Sequence, residues 1–142
     1  QNSVHLRSDD ATPEIWHNAD IEAKWTTIRQ VRQVVMSALE KARNDGAIGA
    51  SLQAAPLVYV TADMQTAFAG QDAASLFITS AATITTDRPT VDAFRLDTVA
   101  DVAVGFAAAT GDKCARCWKV MPEVSGPDGI CKRCTDVVAT LA

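Results

Sequence analysis

The sequence predicts an α+β fold in which a long helix, a small α/β unit and a C-terminal cysteine-rich knuckle or ribbon follow one another. Three observations lead to this prediction. Apolar residues recur every three or four positions between residues 21 and 42, short β-type and alanine-rich runs alternate through the middle, and all four cysteines fall between residues 114 and 134. Hydrophobic residues make up 48% of the 142 residues, so the chain can build a core.

The longest predicted element is an amphipathic helix that starts near residue 20. Asn18 or Asp20 is suited to cap its first turn, and Gly46 is suited to end it. The last turn carries Lys41 and Arg43, which favour the negative end of the helix dipole. We expect an apolar face made of Ile21, Trp25, Ile28, Val31, Val35, Leu39 and Ala42. The opposite face presents the polar residues Arg29, Gln30, Arg32 and Gln33.

The middle of the chain predicts a small α/β unit. Residues 56–60 have the composition of a short strand, and residues 64–69 and 73–77 are alanine-rich and helical in character. A second strand is expected near residues 81–85. A third is expected across residues 99–109, where Val102, Val104 and Phe106 alternate.

The charge is unevenly distributed along the chain. The net charge is −4, yet residues 21–43 carry +3 and residues 113–142 carry +2. Basic clusters on an acidic chain can mark a surface that faces a polyanion, and two solvated faces are an equal alternative. No apolar run approaches the roughly 18 residues of a membrane span, and no signal peptide opens the sequence. We therefore expect no membrane partner. The first residue is Gln1, which predicts an excised piece of a longer protein, with N-terminal processing as the alternative.

The four cysteines have the spacing of a metal site. Cys114 and Cys117 form one Cys-x-x-Cys pair, and Cys131 and Cys134 form another after a turn-rich connection at residues 125–129. Two such pairs can complete a tetrahedron of thiolates around one zinc ion, which leaves no coordination position for a catalytic water. We predict one structural zinc ion in a reducing compartment. Two disulfides, a rubredoxin-type iron site and a redox Cys-x-x-Cys are the alternatives.

The residues around the cysteines suggest a surface for nucleic acid. Four thiolates on one zinc ion carry a formal charge of −2, so the neighbouring basic residues partly offset the site itself. Trp118 follows the second cysteine and offers a ring on which a base can stack. Packing of this ring over the knuckle is an equal alternative.

Six stretches of the chain form a recognisable set: SVHL at 3–6, ALEKAR at 38–43, IGASLQA at 48–54, LFITS at 76–80, KCARCW at 113–118 and CKRC at 131–134. Taken together they resemble the C-terminal end of bacterial isoleucine–tRNA ligases. They occur in the family's order across nearly the whole chain. The helix followed by Ile-Gly-x-Ser-Leu is the discriminating part, because a related knuckle also closes a family of DNA-repair glycosylases. Family members often have Ser where Ala50 stands and Glu where Gln53 stands, and residues 61–111 match only loosely.

The resemblance implies a domain division and a function. Residues 1–55 would end the helical anticodon-binding domain, residues 56–110 would form a small α/β junction, and residues 111–142 would form the zinc module. The catalytic and editing domains would lie upstream in a cytoplasmic, monomeric parent that activates isoleucine with ATP and attaches it to tRNA-Ile. The fragment itself would hold no catalytic residue, since sequences of His-Ile-Gly-His and Lys-Met-Ser-Lys type are absent from it.

The same resemblance implies contacts with tRNA-Ile. Basic side chains would hold phosphates around the anticodon loop, and polar or aromatic groups would read unstacked bases. The residues expected to make these contacts are Arg29, Arg32, Arg116, Trp118, Lys132 and Arg133.

Two other functions fit parts of the sequence. The first is a zinc-ribbon regulator that binds nucleic acid and is not an enzyme. The second is the C-terminal part of a DNA glycosylase, which the long apolar helix and the strand-rich middle disfavour.

Overall fold

A computed structural model describes residue 3 and the ranges 11–126 and 128–141 of the chain. Residues 4–6, which belong to the first stretch of the resemblance, lie outside the described residues. The first described element after residue 11 is a short 3-10 helix, Glu14–Trp16.

The long helix α1 spans Ala19–Asn44, as the apolar periodicity predicts. Asn18 is its N-cap, because its Oδ1 accepts the backbone N–H of Ile21 at 3.0 Å. At the other end, Gly46 adopts a φ of +75°, and the backbone N–H of Ala47 donates to the carbonyl of Ala42 at 2.9 Å. Both predicted boundary signals are therefore confirmed, with Asn18 rather than Asp20 as the cap.

The buried face of α1 is wider at its C-terminal end than predicted and absent at its N-terminal end. The buried residues are Ile28, Val31, Val34, Val35, Ala38, Leu39 and Ala42. Val34 and Ala38 join the face because α1 packs against the sheet and also against two short helices. The prediction for Ile21 is wrong, since that side chain is 55% exposed. Trp25, one turn after Ile21, is partly buried against the core.

A four-stranded sheet forms the other layer. Its strands are β1 (Leu57–Tyr59), β2 (Thr83–Thr85), β3 (Phe94–Leu96) and β4 (Val99–Gly105), arranged in the order β2-β1-β4-β3. β1 runs parallel to β2 and antiparallel to β4, so Val58 lies between Ile84 and Val104. The parallel connection from β1 to β2 contains the two short helices, α2 (Ala62–Ala67) and α3 (Ala73–Phe77).

Most predicted elements of the middle segment are confirmed, with shifted ends. The strand expected to reach residue 109 ends at Gly105, and beyond it the chain pairs loosely with the segment after α1 through an Ala54–Ala108 bridge. Ala103 is buried although it alternates with Val102 and Val104, because β4 is covered on both faces. The sequence did not predict β3.

One hydrophobic cluster joins α1 to the sheet and the short helices. Phe77, Ile28, Leu39, Val58 and Val104 are among its fully buried members. This cluster contains residues from both sides of position 55, so it does not mark a domain boundary there. The division between residues 55 and 56 therefore stays a prediction.

The C-terminal residues fold around a separate cluster. We call the described residues 111–126 and 128–141 the cysteine module, and residues 11–110 the body. The module contains a two-stranded sheet of β5 (Asp112–Lys113) and β6 (Val120–Met121), followed by helix α4 (Lys132–Ala139). Cys114, Val124, Cys131 and Cys134 are its buried centre. Across the described ranges, no helix combines the length and the apolar character that crossing a bilayer requires.

Candidate metal centre and its charged surround

The four predicted cysteines converge on one point. Their sulfur atoms all lie within 4.8 Å of one another, and the Sγ atoms of Cys117 and Cys131 are 3.8 Å apart. Four sulfurs at ~2.3 Å from a tetrahedral ion are spaced by about 3.8 Å. The arrangement can therefore hold one metal ion with four thiolate ligands.

The disulfide alternative does not fit this geometry. All four cysteines are free, and the 3.8 Å between Cys117 and Cys131 far exceeds an S–S bond of about 2.05 Å. A tetrahedral set of four sulfurs suits zinc and also suits iron, so both ions of the sequence prediction remain compatible with the donor set.

The first Cys-x-x-Cys pair is shaped by a tight turn of the backbone. The N–H of Trp118 donates to the carbonyl of Cys114 at 2.9 Å, and the N–H of Cys114 donates to the carbonyl of Lys119 at 2.8 Å. The N–H groups of Cys117 and Cys131 point at the sulfur of Cys114, at 3.5 and 3.4 Å. Backbone donors therefore stabilise negative charge on that sulfur.

These contacts shift two thiols in opposite directions. The pKa of Cys114 is lowered to about 6, chiefly by the hydrogen bond from the backbone of Cys117. Burial raises the pKa of Cys117 to about 11, and the adjacent sulfurs of the other three cysteines add to the rise. A metal ion that binds these thiols would displace their protons, so its binding would depend on pH.

The second pair comes from the start of α4. Cys131 is the residue before the first turn of that helix, and Cys134 lies one turn later on its buried side. The N–H of Ala115 donates to the carbonyl of Gly129 at 2.9 Å, which ties the two pairs together. A helix start and a hairpin turn thus place the four sulfurs.

Trp118 projects from the module into solvent. The residue is 61% exposed, so most of it is open to solvent and available to a partner. The Nζ of Lys113 lies 5.1 Å from the ring centroid, a cation–π contact. Beside the ring is an open cavity of about 470 Å³ whose lining includes Asp112, Ala115 and Gly126.

The basic residues of the module are exposed but not equivalent. Arg116 and Arg133 are exposed. Lys132 is also exposed, and its ammonium lies 3.1 Å from a carboxylate oxygen of Asp136, one turn along α4. An ion pair this exposed contributes little stability, so the ammonium of Lys132 can exchange Asp136 for another anion at small cost.

The two predicted arginines of α1 lie in different settings. Arg29 is exposed, and its Nη2 donates to the hydroxyl of Thr26 at 3.2 Å. Arg32 is half-buried, and its Nε donates to the carbonyl of Leu76 at 2.8 Å, which attaches α1 to α3. Part of the Arg32 guanidinium therefore stabilises the packing of α1 against α3, whereas the Arg29 side chain is accessible to a partner outside the chain.

Comparison with known proteins gives a consistent result. No protein-family model matches the chain. It is 46% identical to the isoleucine–tRNA ligase of Agrobacterium fabrum over 123 residues, which cover 86% of this chain and 13% of that protein. It is 43% identical to the ligase of Ruegeria pomeroyi over 136 residues, covering 94% of this chain and 14% of the relative. The ligase of Caulobacter vibrioides is 41% identical over 78% of this chain.

The chain is homologous to the C-terminal part of isoleucine–tRNA ligases. It spans only about 13% of the length of the relatives it matches. Its homologues are enzymes, and the chain corresponds to a small C-terminal part of them. The resemblance stated from the six sequence stretches is thus confirmed, and the alternative of a zinc-ribbon regulator is not favoured.

Sequence reasoning missed two residues beside this ligase-like site. From the sequence, Lys113 is only one of the module's basic residues, whereas in the structure its ammonium faces the Trp118 ring. Ser80 lies within the LFITS stretch, but no local pattern indicates that its hydroxyl contacts Val120 in the cysteine module. That contact spans 40 positions along the chain, so only the folded structure reveals it.

Proposed function

We propose that this chain is the C-terminal tRNA-binding part of an isoleucine–tRNA ligase. In the parent enzyme, which would activate isoleucine with ATP and attach it to tRNA-Ile, this part contacts the anticodon end and contributes no catalytic group. The observation that carries the proposal is the homology. Identities of 46% and 43% extend over 86% and 94% of the chain, and both relatives are isoleucine–tRNA ligases.

The ion proposed for the cysteine centre is one structural zinc. Cys114, Cys117, Cys131 and Cys134 would supply all four ligands, and the free thiols with a 3.8 Å sulfur spacing support this. Zinc would cross-link the hairpin to the start of α4 and would offer no open coordination position. Metal analysis of the purified protein checks the ion, and iron in place of zinc would contradict the assignment.

The tRNA surface proposed for the module combines charge with an exposed ring. Arg116, Lys132 and Arg133 would contact phosphates, because exposed cations attract a polyanion and the folded backbone around them is already ordered. Trp118 would stack on an unpaired base, which its 61% exposure and the cavity beside it support. On α1, Arg29 would reach a phosphate, and Arg32 would contribute its remaining donors.

The domain division is part of the same proposal. Residues 1–55 would end the anticodon-binding domain, residues 56–110 would form the junction, and residues 111–142 would form the zinc module. The catalytic and editing domains would precede them in a cytoplasmic, monomeric enzyme.

Two activities of the full-length ligase separate a tRNA role from a structural role. Aminoacylation needs tRNA, whereas isoleucine-dependent ATP–pyrophosphate exchange does not. We expect Trp118→Ala, and separately the combined change Arg116→Gln and Arg133→Gln, to lower aminoacylation kcat/KM about tenfold or more, as losing a stacked base or two phosphate contacts would. Exchange should stay within twofold of the unaltered enzyme, because the catalytic centre would lie in other domains.

Matched variants in the body serve as controls. Phe106→Ala removes another exposed aromatic ring, and Arg88→Gln with Arg95→Gln removes two exposed charges outside the module. If the module variants changed aminoacylation no more than these controls, the module would be a structural cap and the tRNA role would be wrong.

A further inference from the structure

The buried hydroxyl of Ser80 joins three parts of the chain. It donates to the carbonyl oxygen of Leu52 at 2.5 Å and accepts the backbone N–H of Val120 in β6 at 2.7 Å. The backbone N–H of Ser80 also donates to the carbonyl of Ala54 at 3.2 Å. With 9% of the residue exposed, these bonds are largely shielded from water. One side chain therefore links the segment after α1, the segment after α3 and the cysteine module.

The body and the module are built around different buried residues. Their hydrophobic clusters are separate, and each draws its buried residues from one side of the junction only. Among the described residues, the Ser80–Val120 bond is the one hydrogen bond that crosses between body and module. A weaker link is electrostatic: the pKa of Asp72 is lowered, chiefly by hydrogen bonds from Ser75 and to a smaller extent by the charge of Lys119.

A joint of this kind controls orientation. Apolar contacts are non-directional, whereas a hydroxyl that both donates and accepts fixes the distance and angle between its two partners. Removing it would leave the carbonyl of Leu52 and the N–H of Val120, both on half-buried residues, without this partner, so the module would shift or admit water to satisfy them. The module would then remain folded around its metal while its outer face turned away from its former position.

We propose that Ser80 is a positioning residue, which fixes the cysteine module against the body so that α1 and the module engage one tRNA together. This rests on the proposed function. Ser80 does not touch tRNA in this account. It acts through the placement of Trp118 and the arginines of the module.

The test uses the full-length ligase with Ser80→Ala. We expect KM for tRNA-Ile to rise about tenfold, in line with the loss of a buried hydrogen-bonded hydroxyl. ATP–pyrophosphate exchange and the zinc content should match those of the unaltered enzyme. Ser80→Thr, which keeps a hydroxyl at the same position, should recover most of the lost affinity.

Thr79→Val is the matched control. Thr79 is fully buried, and its hydroxyl bonds to the carbonyl of Ala74 within the body. The two variants therefore delete neighbouring buried hydroxyls, of which only that of Ser80 contacts the module. An equal loss of tRNA affinity in both would overturn the proposal, since it would reflect general destabilisation.

A combined variant separates positioning from stability. In a background of Trp118→Ala with Arg116→Gln and Arg133→Gln, Ser80→Ala should have much less than its single effect on kcat/KM, because the side chains that it positions are already gone. Fully additive effects would overturn the proposal. If the module variants alone leave aminoacylation unchanged, the proposed function fails; if they are impaired and Ser80→Ala alone is not, the function stands and the Ser80 proposal is refuted.

A measurement on the unaltered enzyme covers the case in which Ser80→Ala fails to fold. The amide of Val120 should exchange with deuterium as slowly as the amides of the sheet, because its acceptor is a buried hydroxyl of the body. Rapid exchange at this position would show that the hydrogen bond between Val120 and Ser80 breaks readily, and it would overturn the proposal.

Discussion

At the scale of single residues, the backbone of Trp118 is the least expected feature of the site. Its φ is +68°, in the left-handed region that a bulky residue adopts at a cost of about 1–2 kcal/mol. The turn of the first Cys-x-x-Cys pair imposes this conformation, which glycine would adopt without strain. The ring gains little burial in return, since it is 61% exposed. Because the strained backbone of Trp118 is not repaid by burial of its ring, the ring is better explained by contact with a partner than by packing in this chain.

This conformation gives a prediction about stability. Trp118→Gly and Trp118→Ala lose the same contact with Lys113, but only glycine tolerates the positive φ. In the zinc-loaded segment, the glycine variant should therefore be more stable than the alanine variant by about 1 kcal/mol. Thermal or denaturant unfolding measures the difference. An alanine variant as stable as the glycine variant would show that the turn relaxes and that the strain argument is wrong.

At the scale of elements, predictability followed length and periodicity. Helix α1 could be predicted because its apolar spacing continues over many turns and both of its ends carry recognisable signals. The strands β5 and β6 have two residues each, too few for any alternation to be visible. Helix α4 has apolar residues at helical spacing, but it is short, and Val137 and Val138 on that face are exposed instead of packed in a core. Its position depends instead on Cys131 and Cys134.

The clustering of the four cysteines was predictable for a related reason. Cys-x-x-Cys spacing encodes a local turn, so Cys114 and Cys117 could be assigned as one half of a site without knowledge of the fold. The contacts of Ser80 and Arg32 join positions 40 and 44 residues apart. No local pattern encodes such distances, and the sequence therefore could not indicate that Arg32 serves the body or that Ser80 reaches the module.

The β5–β6 hairpin yields a prediction at this scale. Gly111 precedes it with a φ of +105°, and a Cβ there would come within 2.2 Å of the carbonyl oxygen of Met121. Gly111→Ala should therefore destabilise the zinc-loaded module by several kcal/mol, through both the clash and the backbone strain.

Gly126→Ala provides the control for that change. Gly126 also has a positive φ, +76°, but a Cβ there would meet nothing within 4 Å. It should cost only about 1 kcal/mol of backbone strain. Zinc affinity, measured by competition with a chromophoric chelator, should fall much further for Gly111→Ala than for Gly126→Ala. Equal losses would contradict the close approach of Gly111 to Met121.

At the scale of the whole molecule, two separate clusters imply two separate responses to metal removal. The module's buried centre consists largely of cysteines, the proposed metal ligands, whereas the body buries aliphatic and aromatic side chains from α1 and the sheet. Structural zinc is worth about 10–16 kcal/mol in apparent binding free energy, far more than so small a cluster can supply alone.

Chelation should therefore unfold the module and spare the body. Hydrogen exchange of the full-length enzyme in EDTA should accelerate across residues 111–141 and remain slow in α1 and β4. Restoring zinc should restore protection in the module. Loss of protection in α1 on chelation would contradict the independence of the two clusters.

The central claim is the proposal that this chain, as the C-terminal part of an isoleucine–tRNA ligase, binds the anticodon end of tRNA-Ile through the cysteine module. The most direct measurement is binding of two RNA fragments to the full-length enzyme, the anticodon stem-loop of tRNA-Ile and its acceptor arm, with and without Trp118→Ala. The account predicts that Trp118→Ala weakens binding of the stem-loop to the enzyme by ~1–3 kcal/mol, with little change in the salt dependence of binding. Binding of the acceptor arm should be unaffected. Unchanged affinity for the stem-loop, or an equal loss for both fragments, would contradict it.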